Sequence, residues 1–272
     1  MFRTSTERTE DELLTKVTKE DIANGVEDTF GALYSQDGKR LLRGAACDSY
    51  CINPGTQVIC DLAFDYLICN LDNYEGAAIM RKRLTNISIP DSVTHIGEHA
   101  FSSCESLTRI NLPKSVTYIG RAAFSYCKGL ASITFPDSLK HIGDDAFYGS
   151  EGLSSISVPD SVIHIGDCAF SFCIGLTSIS IPDSITQISS FAFSYCIGLK
   201  SVTIPDSVTY IGYAAFSHCR GLASISIPNS VSQIGEDAFN NCDALAEIRI
   251  PEGSYDKFKK LLPGLKDIFV ES

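Results

Sequence analysis

Four cysteines, Cys47, Cys51, Cys60 and Cys69, stand close enough together to be weighed as metal ligands. Structural zinc takes thiolate pairs separated by two to four residues. Cys47-x3-Cys51 has that spacing, but Cys60 and Cys69 form no second pair, so buried or half-buried thiols fit them better than zinc. Imidazoles come next. His95, His141 and His164 share one position of a periodic pattern, with His141 and His164 in consecutive periods. Stacked like neighbouring strands, those two rings would stand about 5 Å apart. Two neutral imidazoles suit a metal, yet no third ligand accompanies them. Serine and aspartate are plentiful, but Asp91, Asp137, Asp160, Asp183 and Asp206 recur because a turn recurs. Catalysis needs a unique constellation, and no phosphate loop, dinucleotide fingerprint, zincin motif or nucleophile elbow occurs in the sequence. The residues point away from an enzyme, a bound metal and a cofactor.

The elements carrying these side chains repeat every 23 residues. Leu84, Leu107, Leu130, Leu153, Leu176, Leu199 and Leu222 open seven copies, and Leu245 opens an incomplete eighth. Pro90 and its equivalents stand six residues on, and Phe101 and its equivalents seventeen residues on. A fixed period of this length marks a solenoid of stacked turns. Ile87 and Ile89 alternate with Asn86 and Ser88, the period of a half-buried strand. Pro90 ends that strand because it cannot donate to a ladder. Asp91 and Ser92 suit a turn, and Val93 and Ile96 form a second short apolar segment. Gly97 heads a column that is glycine in six copies and Ser189 in the other. Glycine permits positive φ or close backbone approach, and a left-handed conformation, favoured without being obligatory, is the reading. Ala100 and Phe101 then face inward from a helical or turn-like stretch. Cys104, Cys127, Cys173, Cys196, Cys219 and Cys242 fill one column, with Ser150 in the third copy. That column asks for a small, weakly polar, buried group, so these are read as reduced core thiols.

The run from Leu84 through Pro90, Gly97 and Phe101 to Cys104 resembles the repeat of BspA-like leucine-rich-repeat proteins, and the resemblance covers residues 84–250. Ile52 to Phe64 fits the same frame, with Asn53 in the proline column and Cys60 in the glycine column; residues 70–83 then read as an insertion. Leu33 to Leu42 resembles the hairpin that precedes such repeats, and Asp37-Gly38 is a hairpin turn signal in its own right. The expected architecture is an α/β-type repeat solenoid: a right-handed leucine-rich-repeat superhelix, strand-rich with short helical or turn segments. Residues 1–46 form an N-terminal cap with an amphipathic helix around Asp11–Val17 and the hairpin, and residues 47–83 a degenerate repeat with its insertion. Residues 84–244 hold the seven repeats. Residues 245–272 supply a partial repeat and a C-terminal cap, where Tyr255, Phe258, Leu261 and Leu262 have helical spacing and Pro263-Gly264 stops the helix. The resemblance implies adhesion to host or extracellular proteins.

Net charge is −11, and residues 84–244 carry 14 acidic against 7 basic side chains. That argues against nucleic acid, whose binders carry a basic stripe, and no apolar run approaches the length of a membrane span. Residues Met1 to Arg8 contain no apolar signal core, so the expected compartment is the cytosol, or the cell surface if a leader precedes this sequence. A protein partner is therefore expected, through one of two surfaces. Outward strand positions are mostly small hydroxyls, with Asn86, Arg109, Asn111, Glu247 and Arg249 as the exceptions. The fourth and fifth copies depart toward apolar residues at Ile163, Phe172, Ile174, Phe191, Tyr195 and Ile197, and this flank would bind a protein or a second copy of the chain. The alternatives to an adhesin-like module are an intracellular scaffold or effector, and a self-associating structural protein.

Overall fold

The computed structural model describes residues 10–65 and 84–272. Cys69 and the insertion at 70–83 lie outside the described residues. Each copy makes one three-sided turn of a strand-rich solenoid. The first side is a three-residue strand, Asn86–Ser88 in the first copy and Arg109–Asn111 in the second. Its middle residue is buried and its flanking residues are exposed, as period-two alternation requires. The second side is a two-residue strand such as His95–Ile96 or Tyr118–Ile119. Both sides pair in parallel and without slippage with the same side of a neighbouring turn, as Arg109 with Ser132 and His95 with Tyr118, although the ladders break in places, as between His164–Ile165 and Gln187–Ile188. Between the two sides the chain turns at the proline column, where the Val93 amide donates to the Pro90 carbonyl at 3.1 Å.

The third side carries no helix in any of the seven copies. Instead, two residues per copy adopt left-handed backbone: His99 and Ser103, Ala122 and Tyr126, Cys168 and Phe172, Phe191 and Tyr195, and so on to Asp237 and Asn241. Left-handed residues four apart bracket a buried phenylalanine, and the amides of all three reach the following turn. Ala122, Phe124 and Tyr126 donate to the carbonyls of Asp144, Ala146 and Tyr148. No β-branched residue occupies either left-handed column, consistent with the steric cost of branching at positive φ. The glycine column departs from the left-handed expectation. None of its glycines has positive φ. The column is glycine because turns nearly touch there: a Cβ on Gly143 would lie 2.7 Å from the Arg121 nitrogen, and one on Gly166 2.4 Å from the Asp144 nitrogen.

The core is a ladder of stacked phenylalanines. Rings from Phe64 through Phe101, Phe124, Phe147, Phe170, Phe193, Phe216 and Phe239 lie 5.0 to 5.7 Å apart and within 16° of parallel. The cysteine column supports it. Cys173 Sγ donates to the Phe147 carbonyl at 3.2 Å, and Ser150 Oγ makes the equivalent bond to Phe124 at 2.8 Å. A small buried donor is what the column selects.

At the start of the solenoid, Leu33–Tyr34 and Arg40–Arg43 form the hairpin, and Arg40 and Leu41 pair in parallel with Val58 and Ile59. Two short helices precede it, Glu10–Thr15 and Lys19–Asn24, in place of the single helix expected around Asp11–Val17. Thr18 and Asp21 form a capping box that starts the second helix. At the other end, helix Tyr255–Leu261 buries Phe258, a 3-10 helix spans Pro263–Ile268, and Phe269–Glu271 pairs in parallel with Glu247–Ile250.

Candidate binding surfaces

Left-handed backbone determines where the variable aromatics emerge. Phe172, Tyr195 and His218 occupy one left-handed column in successive turns, with φ of 59°, 59° and 58°. Their rings stack at 4.2 Å, Phe172 on Tyr195 and Tyr195 on His218. Phe191, in the other left-handed column, meets Tyr213 edge to face at 5.1 Å. Between the two aromatic walls runs a groove of about 380 Å³ with Ser171, Ser194 and Ser217 along it. Those serines are buried, and Ser194 and Ser217 hydroxyls lie 2.8 Å apart. Phe191 and Tyr213 are 37% and 41% exposed, while Phe172 and Tyr195 are half-buried. Stacking occupies ring faces along one wall, so an apolar or aromatic side chain can slot against ring edges.

Reactivity in the groove is low. Cys168 lines it, and burial, reinforced by Asp145, Asp167 and Asp144, pushes its thiol up to about 12. It is protonated at neutral pH and is no nucleophile there. His218 Nε2 stands 3.2 Å from Asn241 Nδ2, and its Nδ1 is buried with no hydrogen-bond partner among the described residues.

Of the apolar residues picked out by sequence, the structure gathers Phe172, Phe191 and Tyr195 into this groove. Ile163, 67% exposed, precedes strand His164–Ile165 on the second side of its turn. Ile174 and Ile197 sit two residues beyond the stacked column, partly exposed in adjacent turns, and neither lines the groove. Tyr213 escapes the sequence reading. Its signal was available: it is the aromatic in a column otherwise held by Glu98, Arg121, Asp144, Asp167, Ser190 and Glu236.

The strand face separates the second set. Asn86 reaches Ser49 Oγ at 3.5 Å, Arg109 and Asn111 are exposed on one strand, and Arg249 pairs with Glu247 on a distant one. Between them lies a shallow depression of about 780 Å³ lined by hydroxyls including Ser132, Ser155 and Ser180. Among the described residues no third ligand joins the metal candidates. His141 and His164 stack at 4.5 Å with Tyr118 on the other face of His141 at 4.9 Å. Cys47 donates to the Ser49 carbonyl, Cys51 is exposed, and burial pushes Cys60 up to about 12. Among the described residues no three His, Cys, Asp or Glu side chains form a metal-sized cluster. No helix among the described residues is long and apolar enough to cross a membrane.

The sequence profile of the BspA type leucine-rich repeat region matches residues 73–196 and 140–261, with six copies. The chain belongs to this family. Solved leucine-rich-repeat proteins share its solenoid. A leucine-rich cell surface protein of Faecalibacterium prausnitzii A2-165 is similar at 31% identity and a TM-score of 0.50, covering 79% of this chain and 62% of its own. This chain therefore spans less than two thirds of that protein. A leucine-rich repeat protein of Bacteroides ovatus is 28% identical, with a TM-score of 0.55 and coverage of 83% and 68%. The leucine-rich repeat protein of T. pallidum is 27% identical, with a TM-score of 0.60 and coverage of 72% and 91%. No match is found among curated proteins.

Proposed function

We propose that this chain is a non-enzymatic module that binds a protein partner at a cell surface, and that the aromatic groove between Phe172–Tyr195–His218 and Phe191–Tyr213 is its contact site. The observation that carries the reading is the groove itself. Aromatic side chains dominate binding energy at interfaces, and here they collect in consecutive turns of an otherwise hydroxyl-rich repeat. The Faecalibacterium relative, described as a cell surface protein, supports the location.

The test is site-specific photo-crosslinking in the native cell, with the reactive residue at Tyr213 or, as a control, at Ser201 on the strand face. A protein adduct from position 213 and none from 201 supports the reading. Adducts from 201 alone would move the contact to the strand face. Adducts only between copies of this chain would make the flank a self-association surface. Protease shaving of intact cells, followed by blotting, tests the location: loss of signal is expected, and survival in the cytosolic fraction would refute surface display and favour an intracellular scaffold.

A further inference from the structure

The stacking rule of the third side is broken at its last turn. In each of the first six copies, three amides donate to carbonyls of the next turn; in the sixth they are Ala214, Phe216 and His218, donating to Glu236, Ala238 and Asn240. The equivalent donors of the seventh copy are the amides of Asp237, Phe239 and Asn241. They keep the same backbone, with φ of 59° at Asp237 and 56° at Asn241, but no turn follows on this side. Their hydrogens find no acceptor among the described residues. The C-terminal segment does not close the gap. It seals the strand side through Phe269–Glu271, and a groove of about 630 Å³ remains between the last turn and Leu261–Leu265. Ile234, Phe239, Leu261, Leu262 and Leu265 supply its apolar lining.

We propose that this edge docks a segment of another polypeptide as an additional turn, its alternate carbonyls accepting from Asp237, Phe239 and Asn241. Charge selects the kind of segment. Glu236, Asp237 and Asp243 border the groove, and among the described residues the one ion pair there joins Asp243 to Arg220 at 3.6 Å. A row of backbone N–H groups can hold an anion, but three carboxylates repel one, so the acceptors are neutral peptide carbonyls. Side chains on the segment are neutral or basic, with an aromatic or aliphatic residue placed against Phe239. This is backbone addition to an open edge, with pockets giving side-chain preference. A second copy of the chain does not fit head to tail. At the opposite end the Ala63 carbonyl already accepts from Gly44 at 2.6 Å, and Gly44 lies so close over Phe64 that a Cβ there would meet the ring at 2.1 Å.

The probe is a fluorescein-labelled peptide with the sequence of residues 118–130 and Cys127→Ser. It carries Arg121 and Lys128 and no acid. In the intact chain its Arg121, Ala123 and Ser125 carbonyls accept from His99, Phe101 and Ser103. Anisotropy titration into the full chain is expected to saturate, and hydrogen exchange at Asp237, Phe239 and Asn241 to slow on binding. Glu236→Lys with Asp243→Lys is expected to weaken binding about tenfold or more. Gly264→Trp is expected to abolish it, since Gly264 lines the groove and a Cβ there meets no atom within 4 Å. No saturation up to about 1 mM peptide, or saturation with exchange unchanged at the three amides, would overturn the proposal. So would protection of those amides by concentration-dependent dimerisation alone. Tyr195→Ser, in the aromatic groove, is expected to leave peptide binding unchanged, so the two sites stand or fall separately.

Discussion

Alkaline pH is expected to unfold this protein through its cysteine column. Cys127, Cys173, Cys196 and Cys219 are fully buried, and burial raises each thiol, Cys173 from near 9 to about 12 and Cys127 and Cys196 well above 9. Below pH 9 both folded and unfolded chains keep these protons, and the column contributes its full stability. Above pH 9 the unfolded thiols ionise while the folded ones cannot, so the unfolded state binds fewer protons and stability falls as pH rises. At pH 10 an unfolded thiol with a pKa near 9 is mostly ionised, worth about 1.4 kcal/mol. Four such thiols withdraw roughly 6 kcal/mol, against a typical total of about 5–15 kcal/mol. The assay is denaturant unfolding followed by circular dichroism under reducing conditions from pH 7 to 10.5, since the chain has no tryptophan. Replacing all four cysteines by serine should flatten most of the loss. Serine fits the column, because the Ser150 hydroxyl already makes the same bond to the carbonyl of Phe124 in the preceding turn. Equal pH dependence in the parent and the quadruple variant would refute the reasoning.

Position along the ladder sets the cost of losing a ring. Phe170→Ala should cost about 3–5 kcal/mol, and Phe239→Ala about 1 kcal/mol less, because Phe239 stacks on Phe216 alone; equal losses in denaturant melts would contradict a nearest-neighbour ladder. Gly143→Ala should lose about 1–3 kcal/mol, as its methyl overlaps the preceding backbone, and a neutral result would show that the turns can part. At Tyr195, with φ of 59°, valine should be about 1–2 kcal/mol less stable than asparagine; a variant pair that melts together would remove the left-handed explanation for the missing β-branched residues.

Fold and register were legible because the repeat averages out local ambiguity. One copy of Leu84 to Ser106 is a weak signal; seven copies in phase reveal which positions face inward. The ladder from Phe101 to Phe239 and the buried cysteines follow from that phase alone. The glycine column was legible as special and misread as to cause, because left-handed backbone and close approach leave the same mark in sequence. The left-handed residues of the seven repeats are His, Ala, Asp, Cys, Phe, Ser, Tyr, Asn and a single Gly, and their diversity hid them. The strand Phe269–Glu271 is too short to show a period and exists because Glu247–Ile250 offers it an edge. Half of the apolar flank was gathered and half was not. Periodicity tells which copies are neighbours, but Ile163, Phe172 and Ile174 belong to different stretches of one turn, and only the path of the turn says which share a surface.

The sequence by itself determined the one-dimensional order of the molecule: a fixed period, a proline that stops each strand, a phenylalanine and a small donor in every core layer, and excess negative charge along the repeats. These are local or nearest-neighbour quantities, and identical neighbours repeat them. Tertiary structure decided what depends on direction and on ends. Left-handed backbone at two positions of each turn made Phe172, Tyr195 and His218 one wall of a groove, with Tyr213 in the other. The same backbone left three amides of the last turn at an open edge, because each turn satisfies the one before it and no further turn follows on that side among the described residues.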